Sequence, residues 1–147
     1  LYALLLVGAV IGPLLAGWMS DHVGRRRTLV TYYLLSAVGI VLFLAAGANV
    51  WLLAPPLLPF GTAVFSESPV LQAYLADRAT GPTRDVAFSV YFTFAFGIGA
   101  VWAIVIGNVA AAWGYPVAFV VMAASYLGAA ALVALVPARP PHAESDR

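Results

Sequence analysis

Glu67 is the one ionisable side chain that falls well inside an apolar stretch of this chain. It sits in the run Phe65-Ser66-Glu67-Ser68-Pro69, ten positions before Asp77. If the run is helical, ten positions correspond to ~15 Å of rise. A charge at that depth in a membrane costs several kcal/mol, less if it faces water or takes up a proton. A carboxyl group so placed can couple proton movement or hold a cation. It can equally be a protonated glutamate that hydrogen-bonds a neighbouring helix. Gln72, Tyr91, Trp102 and Asn108 are the other polar or aromatic candidates near such a site. Tyr91 and Trp102 would line a cavity or serve as packing anchors, and Gln72 and Asn108 would bond across helices.

Other chemistries have little to work with. The chain has no cysteine, so it has no disulfide, thiol nucleophile or Cys-ligated metal. Its two histidines, His22 and His142, both lie outside the apolar stretches, and there is no Ser–His, His-rich or paired-acid cluster within them. Every basic residue is an arginine, so a phosphate-binding Gly-rich loop with its lysine is absent. These absences argue against an enzyme, and no metal or cofactor is expected. A net charge of +1 offers no footprint for nucleic acid.

The elements that must carry Glu67 are membrane helices. The 147 residues are 63% hydrophobic and 9% charged, with a mean hydropathy of +0.96. An average soluble domain is about a quarter charged. Five apolar stretches, 2–20, 28–47, 51–76, 86–112 and 115–136, are each long enough to cross a ~30 Å hydrocarbon layer as a helix. Transmembrane β-strands would be half as long and would alternate polar with apolar residues. The expected architecture is an all-α bundle of five transmembrane helices in a lipid bilayer, followed by a polar tail over 137–147.

The connectors alternate in character. Asp21–Arg27, Asp77–Asp85 and the tail are charged, whereas Ala48–Val50 and Trp113–Gly114 are short and uncharged. All seven arginines fall on one side of the five-helix path. The positive-inside rule makes that side, including the C-terminal tail, cytoplasmic. Trp51, Trp113 and Tyr115 would form an aromatic belt at the outer boundary. Small residues recur at helical spacing as Gly8, Gly12, Ala16 and Ser20, and again as Gly99, Ala103, Gly107 and Ala111. Such stripes let helix backbones approach closely. Pro13, Pro59 and Pro69 each remove a backbone donor within or near a span.

The connector after the first span reads Gly17-Trp-Met-Ser-Asp21-His-Val-Gly24-Arg25-Arg26-Arg27. Gly17 would permit close packing at a helix end, and Gly24 suits a turn that needs positive φ. Asp21 can cap a helix or pair with arginine, and the arginines can anchor the next helix and bridge to carboxylates. This stretch resembles the G-x-L-x-D-x-x-G-R-R signature loop of the major facilitator superfamily, with Met19 at the usual leucine and His22 at a usual arginine. In that family the loop joins helices 2 and 3 and, less strictly, helices 8 and 9. The resemblance implies that Arg25 bridges to Asp77 at the end of helix 4 or 10. It also implies that the bridge holds in one state of a transport cycle and breaks in the other, with Gly17, Asp21, Gly24, Arg25, Arg26 and Asp77 forming the switch.

Two absences favour the C-terminal half of such a transporter, with the chain as helices 8 to 12. The third span has no arginine before Arg78, and the fourth reads Phe96-Gly97-Ile98-Gly99-Ala100 with no Gly-Pro pair. Leu1 opens within an apolar run without an initiator methionine, so the chain is expected to continue a longer protein whose N-terminal half is its partner. The resemblance implies a multi-pass cell-membrane protein, part of a secondary transporter of a small-molecule substrate. A small membrane scaffold or assembly subunit without transport activity is the alternative.

Overall fold

A computed structural model describes residues 2–47, 49–79 and 81–136. They form five helices: α1 (Tyr2–Val23), α2 (Arg25–Ala46), α3 (Val50–Ala76), α4 (Pro82–Trp113) and α5 (Tyr115–Leu135). The segment 137–147, expected as a cytoplasmic tail and carrying Arg139, His142 and Arg147, lies outside the described residues. Among the described residues no strand occurs, as expected where backbone polar groups must be satisfied without water.

The helices run up and down, and their joints differ from the expected connectors. The stretch Asp21–Arg27 was expected to be a loop. Instead α1 continues through Asp21 to Val23 and α2 starts at Arg25, leaving Gly24 alone outside a helix. Gly24 has φ +95°, a conformation that L side chains rarely adopt. The reason for the difference is that hydropathy marks the depth of the hydrocarbon, whereas a helix ends where the backbone turns. Arginine and histidine do not break a helix, so it runs past the apolar stretch until a glycine turns it. For the same reason α4 starts at Pro82, at the helix N-terminus where its missing N–H costs nothing, rather than at position 86.

α3 packs between α1 and α2, and α2 packs between α3 and α5. The core contains Ala16 of α1, Leu29, Tyr32 and Tyr33 of α2, Ala63 and Val70 of α3, and Ala130 of α5. The α1 stripe is a packing face. A Cβ on Gly8 would lie 2.7 Å from the Thr62 backbone nitrogen, and one on Gly12 would lie 2.6 Å from the Thr62 carbonyl oxygen. Ala16 and Ser20 continue that face and are buried. Gly61 faces back, 2.6 Å from the Leu5 carbonyl oxygen by the same construction. The α4 stripe, read the same way in the sequence, is not packed here: nothing lies within 4 Å of a Cβ on Gly99 or Gly107. No residue of α4 is buried.

Four helices, α1, α2, α4 and α5, are long and apolar enough to cross a membrane. α3, the remaining expected span, is 27 residues long and contains four prolines and the run Ser66-Glu67-Ser68 with Gln72. Its position between α1 and α2 buries Ser66 and gives Glu67 the Ser36 hydroxyl, whereas Ser68 is exposed and meets Tyr91 of α4.

Candidate functional site

Two polar centres stand at different heights on α3. The upper one is built on Glu67. Ser36 of α2, itself fully buried, donates its hydroxyl to Glu67 Oε1 at 2.7 Å. Ser36 and Tyr33 are three residues apart, so they share the face of α2 that meets α3. Tyr33 lies beside Tyr126 of α5, with ring centroids 6.3 Å apart and planes tilted by 39°. α2 thus meets α3 through Ser36 and α5 through Tyr33.

One residue further along α3, Ser68 begins a second chain of contacts. Gln72 Nε2 donates to Ser68 Oγ at 2.9 Å, and Ser68 Oγ lies 3.2 Å from the Tyr91 hydroxyl on α4. Gln72, expected to bond across helices, thus bonds within α3, and Ser68 links it to Tyr91 of α4. Trp102 is eleven residues beyond Tyr91, about three turns, so it shares the Tyr91 face but lies ~16 Å away along the axis. Asn108 is rotated off that face by roughly 100° and donates to the Ile104 carbonyl of its own helix at 3.0 Å. The expectation that Asn108 bonds across helices is therefore replaced by a local bond within α4.

The lower centre lies at the charged end of the bundle, about 15 Å from Glu67 along α3. Arg25 Nε donates to Asp77 Oδ2 at 2.5 Å. The Arg25 Nη1 donates to Ser20 Oγ at 2.5 Å and to Asp21 Oδ1 at 3.2 Å. One guanidinium thus joins the end of α1, the start of α2 and the end of α3. Arg26, expected to reach a carboxylate, instead donates to the Val133 carbonyl oxygen at 3.2 Å and to that of Ala134. These are carbonyls of the last turn of α5, where helix-end oxygens attract cations; that of Val133 also accepts from the Val136 N–H. Gly17 was expected to permit close packing, but nothing lies within 4 Å of a Cβ built there. Within these helices its role is not contact.

Asp77, Arg78 and Arg25–Arg27 border a cavity of about 870 Å³ at this end. Tyr74 also lines it, with the Arg78 guanidinium 4.1 Å over its ring centroid. The Tyr74 hydroxyl is shielded from solvent and has no hydrogen-bond partner among the described residues. An orphaned buried hydroxyl costs about 1–3 kcal/mol.

Ser36, Tyr33, Tyr126 and Tyr74 are participants that sequence reasoning missed. Ser36 stands in the run Leu34-Leu35-Ser36-Ala37-Val38 with no local feature that points to an acid on another helix. The three-residue spacing of Tyr33 and Ser36, two polar groups on one face of an apolar helix, was the signal available.

The family model of the Major Facilitator Superfamily matches residues 1–147. Neither a curated protein nor a solved structure matches the chain.

Proposed function

The chain belongs to the major facilitator superfamily, and from that premise we propose that it forms most of the C-terminal half of a secondary active transporter working by alternating access. In such folds the solute binds near the midplane, between two repeats that rock around it. The arginines at one end orient that end toward the cytoplasm by the positive-inside rule, in the cell membrane.

The observation that carries the reading is Glu67, an acid held part-way along a helix by a serine of the neighbouring helix. A carboxyl group there is costly as a charge and gains from taking up a proton. We assign it proton coupling, with Ser36 positioning it. Gln72 and Tyr91, linked through Ser68, border the same region and would shape the solute cavity. Trp102 shares the Tyr91 face and would extend that wall; Asn108 is off it and belongs to the solute path only if the path curves around α4.

At the charged end, Arg25 and Asp77 are assigned the conformational switch, with Gly24 as the joint and Asp21 as the second acid on the same guanidinium. A contact that forms in one state and breaks in the other biases the equilibrium between them by its own free energy.

The test is Glu67→Gln in the whole protein, reconstituted in vesicles. Proton-driven solute uptake is expected to fall by about tenfold or more, the scale of a removed coupling group, while solute exchange without a proton gradient persists. Unchanged proton-driven uptake would eliminate Glu67 as the coupling residue.

A further inference from the structure

We propose that the apolar groove at the start of α3 binds a membrane lipid with an uncharged, hydroxyl-bearing head. The groove has a volume of about 490 Å³ and lies at the end of the bundle away from Arg25–Arg27. Leu42 and Ala45 near the end of α2 form one side, and Leu52, Pro55, Pro56 and Pro59 of α3 form the other. Trp51, 86% exposed beside Leu52, suits the bilayer boundary. From Leu52 to Pro59 is about 10 Å of helix rise. The groove therefore runs from that boundary into the hydrocarbon, where acyl chains are the solvent.

The prolines also leave a polar group of that groove without a helical partner. In an α-helix the Leu52 carbonyl accepts from the N–H of residue 56, and in a 3₁₀ turn from that of residue 55. Both residues are prolines and have no N–H. Trp51, Pro55 and Pro56 each lose only one of these two donors, so the deficit is specific to Leu52. Among the described residues no side chain donates to it either; the Asn49 side-chain oxygen is an acceptor, taking the Trp51 N–H at 3.1 Å. Leu52 is 58% exposed, so the approach to it is open.

Two properties select the occupant. A further helix would fill an apolar groove, but its backbone N–H groups are already used inside it and do not complete the Leu52 carbonyl. An acyl chain with a hydroxyl at its head does both. The described lining is apolar throughout, and the connectors at this end, 47–49 and 113–114, carry no charge. A phosphate would find no cation there, so the head that fits is uncharged. Its hydroxyl donates to the Leu52 carbonyl oxygen at the boundary, while the chain follows Pro55, Pro56 and Pro59 inward. This inference does not depend on Glu67 or on transport.

The experiment uses the full-length protein in an amine-oxide detergent, whose head has no hydrogen-bond donor. The probes are dioleoylglycerol and its methyl ether, which differ only in the hydroxyl donor. Retention is read by native mass spectrometry. Dioleoylglycerol is expected to be retained about two- to tenfold more than the ether, the worth of one hydrogen bond. Pro56→Ala restores the missing N–H and is expected to remove that preference without weakening the fold, since alanine suits a helix better than proline. Pro69→Ala, outside the groove, should leave the preference intact. Ala45→Trp fills the groove and should cut retention of both probes. Should Ala45→Trp fail to fold, Pro56→Ala carries the test. Equal retention of the two probes, a preference that survives Pro56→Ala or disappears in Pro69→Ala, or undiminished retention by Ala45→Trp would overturn the proposal. Retention of neither probe would overturn it too, and would mean that water or another protein segment covers the groove.

Discussion

Arg25 and Arg26 are adjacent, yet they act on different neighbours. Arg25 reaches acids on α1 and α3, while Arg26 reaches the last carbonyls of α5. The Asp77 side chain is 54% exposed, so its ion pair belongs to the class worth about 0–1 kcal/mol. That is too little to hold the fold together, but ~1 kcal/mol changes a two-state ratio about fivefold. Asp77→Asn is therefore expected to leave the melting temperature nearly unchanged while it shifts the balance of conformers. Labelling of a cysteine introduced at the charged end would read that shift, and unaltered labelling would remove Asp77 from the switch. Arg26→Ala removes the donor to the Ala134 carbonyl and leaves that of Val133 with the Val136 N–H alone, and faster amide exchange is expected in the last turn of α5 but not in α4. Ser36→Ala should destabilise by about 0.5–1.5 kcal/mol, the worth of one hydrogen bond, measured by thermal unfolding. The Arg25–Asp77 contact was legible because a local motif named one partner and a helix end the other. The Ser36–Glu67 bond was not legible, since no local pattern links two helices across 31 positions.

Among elements, the α1 and α4 stripes show what spacing can and cannot say. Both repeat small residues every four positions, but only α1 has a backbone pressed against its glycines. A stripe states that close approach is permitted; the partner decides whether it happens. Gly12→Ala is accordingly expected to cost about 1–3 kcal/mol, typical of overpacking, while Gly99→Ala costs nothing within these helices. Thermal unfolding of the two variants in the whole protein would compare them. An equal loss for Gly99→Ala would mean that a partner outside these five helices packs on α4. The five apolar stretches placed all five helices, but hydropathy could not find the joint at Gly24, because the flanking arginines read as loop and fold as helix. Gly24→Ala, at φ +95°, should cost about 1–2 kcal/mol in a left-handed conformation.

At the level of the whole molecule, membership of the family agrees with the all-helical bundle and its signature stretch, and an unburied α4 accords with a bundle that meets further helices. The polar character of α3 has a consequence for biosynthesis. A segment with Glu67, Gln72 and four prolines partitions poorly into lipid when it emerges by itself. α1 and α2 are made first, and they are the two helices that cover it. Entry of α3 into the bilayer is thus expected to be assisted by its predecessors rather than spontaneous. In an insertion assay, α3 alone should remain largely untranslocated or slip through, and α1–α3 together should integrate. Order of synthesis then becomes part of how this bundle admits an acid to its interior.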